Sequence, residues 1–171
     1  FQRLRTALRT VSERWPVVIM SKEAVSSVRE RLGLETIVYA SSYGFAVGDP
    51  GEPFAVSLGR HFLPAINNTE KNLEDRLGTL PGVHIRRLPY SITVKYDEAD
   101  ASAVSAVEQY LSELSAAETE LRLVRDGKKA EFRPDLDWDK GRTLLHLART
   151  VHVDGSRLVP LFIGDDITDE D

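Results

Sequence analysis

The residues with the clearest capacity for chemistry lie at the end of the sequence, in Gly164-Asp165-Asp166-Ile167-Thr168-Asp169-Glu170-Asp171, where five carboxylates fall among the last seven residues. An apolar run, Leu158 to Ile163, leads directly into them. Carboxylates set beyond the carboxyl end of a strand are hard oxygen ligands in the place where open α/β sheets bind, a combination that suits Mg²⁺. The plainer alternative is an acidic first turn favoured by the dipole of a following helix.

Two further side chains stand at element ends. Ser21 follows the β-branched run Val17-Val18-Ile19-Met20 and precedes a helical pattern. Its hydroxyl and the next amides could hold a phosphoryl oxygen, or the serine could be a helix N-cap. Lys140, in Trp138-Asp139-Lys140-Gly141, opens another helical pattern, where the dipole disfavours a cation. A lysine there could neutralise a phosphoryl group or the carboxylate attacking it, or could be a solvated surface residue.

Asp135 and Asp137 form an Asp-x-Asp pair, but in a loop entering a helix they read as caps. The histidines at 61, 84, 146 and 152 are too dispersed for metal-ligand spacing. Neither a glycine-rich phosphate loop with its lysine nor a Gly-x-Ser-x-Gly elbow is present.

The elements that must carry these groups follow from periodicity. Residues 3 to 14 have Leu4, Leu8 and Val11 at helical spacing, and Pro16 punctuates before the strand Val17 to Met20. Lys22 to Leu32 is helical and closes at Gly33; Thr36 to Ala40 is a second strand. A helix between two short apolar strands is the unit of a parallel α/β sheet. From about Phe54 the character changes. A helix over Leu63 to Leu77 ends at Gly78, and the alternating Ser91 to Tyr96 predicts a sheet with one solvated face. Ala101 to Leu114 is helical again, and Leu121 to Val124 with Lys129 to Phe132 flank Asp126-Gly127 as a hairpin. The first pattern returns in a helix over Trp138 to Val151 and a buried strand over Leu158 to Ile163. The expected order is therefore core, lid, core: residues 1–53 and 134–171 as an α/β core, and 54–133 as an inserted α+β unit.

Composition narrows the partners. The 171 residues carry 27 acidic and 22 basic side chains, net −5, with no basic run to track a nucleic-acid backbone. No apolar run approaches the roughly 20 residues needed to span a bilayer. The absence of cysteine fits a reducing compartment, and a cytoplasmic setting is expected. The lack of an initiator Met and an opening inside a helical pattern predict an incomplete chain, with other domains of a longer polypeptide as possible neighbours.

Glu131-x-Arg133-Pro134, then Trp138-Asp139-Lys140-Gly141, then Gly164-Asp165-Asp166-x-Thr168-Asp169-Glu170-Asp171 after a 22-residue spacer together resemble the trehalose-6-phosphate phosphatases, members of the haloacid dehalogenase-like superfamily. The resemblance covers nearly the whole chain. It implies a Rossmann-like core closed by an α+β cap. The implied reaction transfers the phosphoryl group of trehalose 6-phosphate to an aspartate and then to water, with Mg²⁺ bridging enzyme and phosphate. By the same resemblance Ser21 is the phosphate-binding hydroxyl, Lys140 the phosphate-binding lysine, Asp165 and Asp169 the Mg²⁺-site acids, and Glu131 and Arg133 residues near the sugar cleft. The family's Asp-x-Asp-Gly-Thr motif, which carries the nucleophile, would precede Phe1. Ser21-Lys22-Glu23 stands where the family has Ser-Gly-Arg, and Tyr43-Gly44 where it has His-Gly. Leu88-Pro89 and Lys95-Tyr96-Asp97 replace its Lys-Gly and His-Tyr-Arg. Three functions fit this pattern: an active trehalose-6-phosphate phosphatase, a degenerate phosphatase-like domain with a structural or regulatory role, and a phosphatase for another sugar phosphate.

Overall fold

A computed structural model describes residues 1–48, 56–150, 159 and 161–164. The chain divides into two compact units, Phe1–Ser57 with Asp137–Asp171, and Leu58–Leu136. Each has its own sheet.

In the first unit, helix α1 (Gln2–Ser12) precedes strand β1 (Val18–Ser21), helix α2 (Val25–Leu32) and strand β2 (Val38–Ser41). Strands β3 (Ala46–Val47) and β4 (Val56–Ser57) complete a sheet of order β1-β2-β3-β4, and α5 (Lys140–Thr150) returns to it late in the chain. β1 and β2 are parallel, with Ser21 opposite Ser41; the two short strands add antiparallel. Strand alternation sorts the side chains into two layers. Val17, Ile19, Ile37 and Tyr39 pack with Leu8 of α1 and Val25, Val28 and Leu32 of α2, while Val18, Met20, Val38 and Ala40 pack with Leu147 of α5. A strand covered on both faces reads as an unbroken apolar run, as 17–20 does. Gly33 ends α2 in the left-handed conformation, at φ 57°, as its position after Leu32 predicts.

Three expectations shift here. α2 begins at Val25 rather than Lys22, because Ser21 to Ala24 forms a turn. α5 starts at Lys140 rather than Trp138, whose indole is committed to a tertiary contact. The strand expected over Leu158 to Ile163 is not formed at its described residues: Val159 and Leu161 to Ile163 have no strand pairing and lie exposed. An apolar run buries only against a layer, and no described strand pairs with this one.

The second unit opens with a 3₁₀ turn, Leu58–Phe62, then α3 (Leu63–Leu77), β5 (His84–Leu88), β6 (Ser91–Lys95), α4 (Ala101–Ala117), β7 (Leu121–Asp126) and β8 (Lys129–Pro134). Pro64 suits the first turn of α3, and Asp100 caps α4 by accepting the amides of Ser102 and Ala103 at 2.9 and 2.8 Å. The sheet is antiparallel in the order β5-β6-β8-β7. One face, Ile92, Val94, Leu121, Ala130 and Phe132, forms a core with Ile66, Leu73 and Leu77 of α3 and Val107 and Leu111 of α4. The opposite face was expected to be solvated along β6. Instead Ser91 and Thr93 are buried as well, since β6 is a central strand with longer side chains on both neighbours.

Just past β6, buried Tyr96 donates its hydroxyl to Glu108 Oε1 at 2.5 Å, and Arg125 pairs with the same carboxylate. Burial first, then the bond to Glu108 and its charge, push this phenol up from 10.0 to about 12, against a smaller pull from Arg125. The folded state therefore holds the proton more tightly than the unfolded chain. Its stabilisation is complete below about pH 10 and is lost as pH rises toward about 12. The stability advantage of the native protein over Tyr96→Phe, measured by denaturant titration, should shrink across that window. A constant difference would count against the coupling. Among the described residues no helix is long and apolar enough to cross a membrane.

Candidate functional site

Ser21 is the last residue of β1, half-buried, and its Oγ accepts the amide of Glu23 at 3.1 Å. It is not the cap of α2: that position is Ala24, which makes no side-chain cap bond. Of the two roles open to Ser21, the structure removes helix capping. Its hydroxyl holds the turn open after the strand and retains a proton to donate.

At the end of the neighbouring strand the chain turns sharply through Ser42-Tyr43-Gly44, a 3₁₀ turn with φ of 49°, 60° and 85°. Positive φ at two consecutive non-glycine residues is strained backbone of the kind that persists where the surroundings over-determine it. The surroundings are visible. Lys22 places its ammonium 5.5 Å from the Tyr43 ring centroid, within cation–π range, and Ser42 is buried. The turn packs against both β1 and α5.

Lys140 opens α5 and is half-buried. The helix start is capped by Asp139, whose Oδ1 accepts the Arg142 amide at 2.6 Å. The expected caps do other work. Asp137 pairs with Arg142 at 2.6 Å, and the Asp135 amide donates to Glu120 O at 2.9 Å beside the end of the β7–β8 ladder. Two acids around the first turn offset part of the misfit of a cation at Lys140. Ser21 and Lys140 thus belong to two elements that meet the same turn.

Glu131 and Arg133 lie in the other unit, two residues apart on β8 and so on one face. This is the face away from α3 and α4. Glu131 sits opposite Thr93 on one side and Val124 on the other; Arg133 sits opposite Arg122, and Thr93 opposite Arg86. Glu131 is only 7% exposed. A buried carboxylate among hydroxyl and guanidinium groups provides acceptors and donors on a rigid sheet, the mixture that recognises hydroxyl-rich or anionic molecules. Thr93, Arg86 and Arg122 escaped the sequence pattern because only strand register places them on the sheet face that carries Glu131 and Arg133.

Asp165 and Asp169 lie outside the described residues. Among the described residues no three His, Cys, Asp or Glu side chains come together to hold a metal. Of the histidines, His84 approaches Glu98 at 3.5 Å on the surface, and His61 and His146 make edge contacts with Phe62 and Trp138.

The profile of the trehalose-phosphatase family matches residues 1–171. A trehalose-phosphate phosphatase of Mycobacterium tuberculosis is 34% identical over 167 residues, covering 96% of this chain and 42% of that protein. The chain therefore spans less than half the length of this curated relative. The C-terminal domain of Candida albicans trehalose-6-phosphate phosphatase superposes with a TM-score of 0.71 at 22% identity, covering 99% of this chain and 63% of that one. A trehalose-6-phosphate phosphatase related protein gives a TM-score of 0.69 at 15% identity, with 85% and 62% covered. At these identities the structures establish a shared fold, of the α/β class expected from the sequence.

Proposed function

The chain belongs to the trehalose-phosphatase family, and from that premise we propose that the full-length protein hydrolyses trehalose 6-phosphate to trehalose and phosphate. The observation that carries this reading is local: within a chain matched throughout by the family profile, Ser21 and Lys140 stand on elements that flank one strained turn.

In this reading the first unit is the phosphatase core and Leu58–Leu136 its cap. The Ser21 hydroxyl and the amides after it hold a phosphoryl oxygen, and the Lys140 ammonium balances the charge on the group in transfer. Glu131 accepts, and Arg133 donates, hydrogen bonds at the sugar. Asp165 and Asp169 offer hard carboxylate oxygens, the ligand type Mg²⁺ takes, and would hold that ion. Bound there, Mg²⁺ would supply positive charge to the phosphoryl oxygens. The attacking carboxylate is an aspartate supplied from outside these 171 residues. It forms a bond to phosphorus as the bond to the sugar oxygen breaks and that oxygen takes a proton; water then hydrolyses the aspartyl phosphate. A cytoplasmic setting accords with the absence of cysteine.

The test is phosphate release from trehalose 6-phosphate by protein expressed from the complete gene, with Mg²⁺ and then with a chelator. Metal-dependent release is the expected result. Release only from other sugar phosphates would move the substrate. No release from a folded sample across a panel of them would leave a phosphatase fold kept for binding or assembly.

A further inference from the structure

We propose that Trp138 is a positioning residue: with Thr143 and Gly44 it forms a clasp that sets Lys140 in register with Ser21, an assignment that rests on the reading of Lys140 as the phosphate-balancing lysine. The indole Nε1 of Trp138 donates to two oxygens, Gly44 O at 3.2 Å and Thr143 Oγ1 at 2.9 Å. Thr143 is fully buried, and its hydroxyl lies 2.9 Å from Asp139 O and 3.5 Å from Tyr43 O. An indole N–H can only donate, so the threonine oxygen accepts from Trp138 and turns its own proton to Asp139 O. Every polar group in the clasp then has a partner.

Lys140 lies between the two clasp residues, two positions after Trp138 and three before Thr143. Its backbone is fixed from both sides. The glycine makes the approach possible. A Cβ at Gly44 would lie 1.7 Å from Thr143 Oγ1, and its φ of 85° is one that side chains rarely adopt. The first turn of α5 therefore rests on a bare α-carbon of the Ser42–Gly44 turn. On its other side that turn leaves β2 directly after Ser41, the parallel partner of Ser21, and Lys22 covers the Tyr43 ring. The path from the lysine-bearing helix to the serine-bearing strand is one turn long. The edge contact between Trp138 and His146, with centroids 6.2 Å apart, holds the indole plane from the next turn of the helix.

The experiment uses the full-length protein. Trp138→Phe keeps an aromatic ring, though a smaller one, and deletes the donor. It is expected to lower kcat for phosphate release about tenfold, as small misplacements of a charge-balancing group do, with KM and the thermal midpoint little changed. In a Lys140→Ala background the same substitution should cost nothing further, because the clasp acts only through the lysine. Thr143→Val should reproduce the loss and Thr143→Ser, which retains the oxygen, should recover the rate. Inorganic phosphate affinity by calorimetry gives a readout that needs no turnover: both Trp138→Phe and Lys140→Ala should weaken it. Wild-type kcat and phosphate affinity in Trp138→Phe, beside an impaired Lys140→Ala, would overturn the clasp and leave the lysine's role intact. Losses that multiply in the double variant would reduce Trp138 to a packing residue. Wild-type behaviour of Lys140→Ala would remove both assignments.

Discussion

Replacing Lys140 with alanine in the full-length protein is expected to lower kcat for phosphate release by roughly 10²- to 10³-fold, the loss typical of deleting one preorganised group aimed at transition-state charge. The expectation rests on where the side chain starts. Lys140 opens α5 at the positive end of the helix dipole, where a cation is destabilised. Two neighbouring acids lessen the misfit without removing it: Asp137 and Asp139 both reach Arg142. A phosphoryl group met by this ammonium and by the amides of the turn after Ser21 would resolve it in the transition state. In phosphoryl transfer the protein acts chiefly by positioning and charge, so the loss should fall on kcat more than on KM. Lys140→Arg should restore little, since a planar guanidinium does not replace a compact ammonium on a shorter reach. Steady-state kinetics decide the matter, and near-wild-type values for Lys140→Ala would return it to the solvated surface.

Asp165→Asn should be at least as damaging, lowering Mg²⁺-dependent release by about 10³-fold, the equivalent of several kcal/mol of lost metal-borne stabilisation. The exchange keeps size and one carbonyl oxygen but removes the charge a hard dication requires. A Mg²⁺ titration should show the half-saturating concentration rising with the fall in rate. Unchanged turnover and unchanged metal dependence would take Asp165 out of the site and leave the acidic cluster as a helix-capping feature.

Local patterns were legible where one force decides them. α3 keeps the limits read from its periodicity, Leu63 to Leu77, and the hairpin around Asp126-Gly127 forms with Gly127 at φ 55°. The two faces of β1 and β2 follow from the unbroken apolar run. What could not be read is set by partners distant in the chain. The start of α5 depends on an indole bond spanning 94 residues. The start of α2 depends on a serine choosing Glu23 instead of the helix amides, two hydrogen bonds of similar strength. Thr93 is buried by its place in the middle of a sheet, which alternation alone cannot distinguish from an edge. The same division holds at the site. Ser21 and Lys140 stood out by element ends, whereas the strained Ser42–Gly44 turn between their elements, and the register that sets Arg86, Thr93 and Arg122 on one face with Glu131 and Arg133, exist only in three dimensions.

The division of the chain into a split first unit and a continuous second one also orders its birth. During synthesis Leu58–Leu136 is available whole, with all four strands and both helices, before any of α5 has left the ribosome. Such a segment can complete its own core as a unit. The strands that end in Ser21 and Ser41 are made before that segment yet must wait for α5 to cover one of their faces, through contacts such as Trp138 to Gly44 that close a long loop. The unit assigned the chemistry is thus begun before the second unit and completed only after it. During that interval Val18, Met20 and Val38 lie bare, a window in which chaperones and proteases find their substrate.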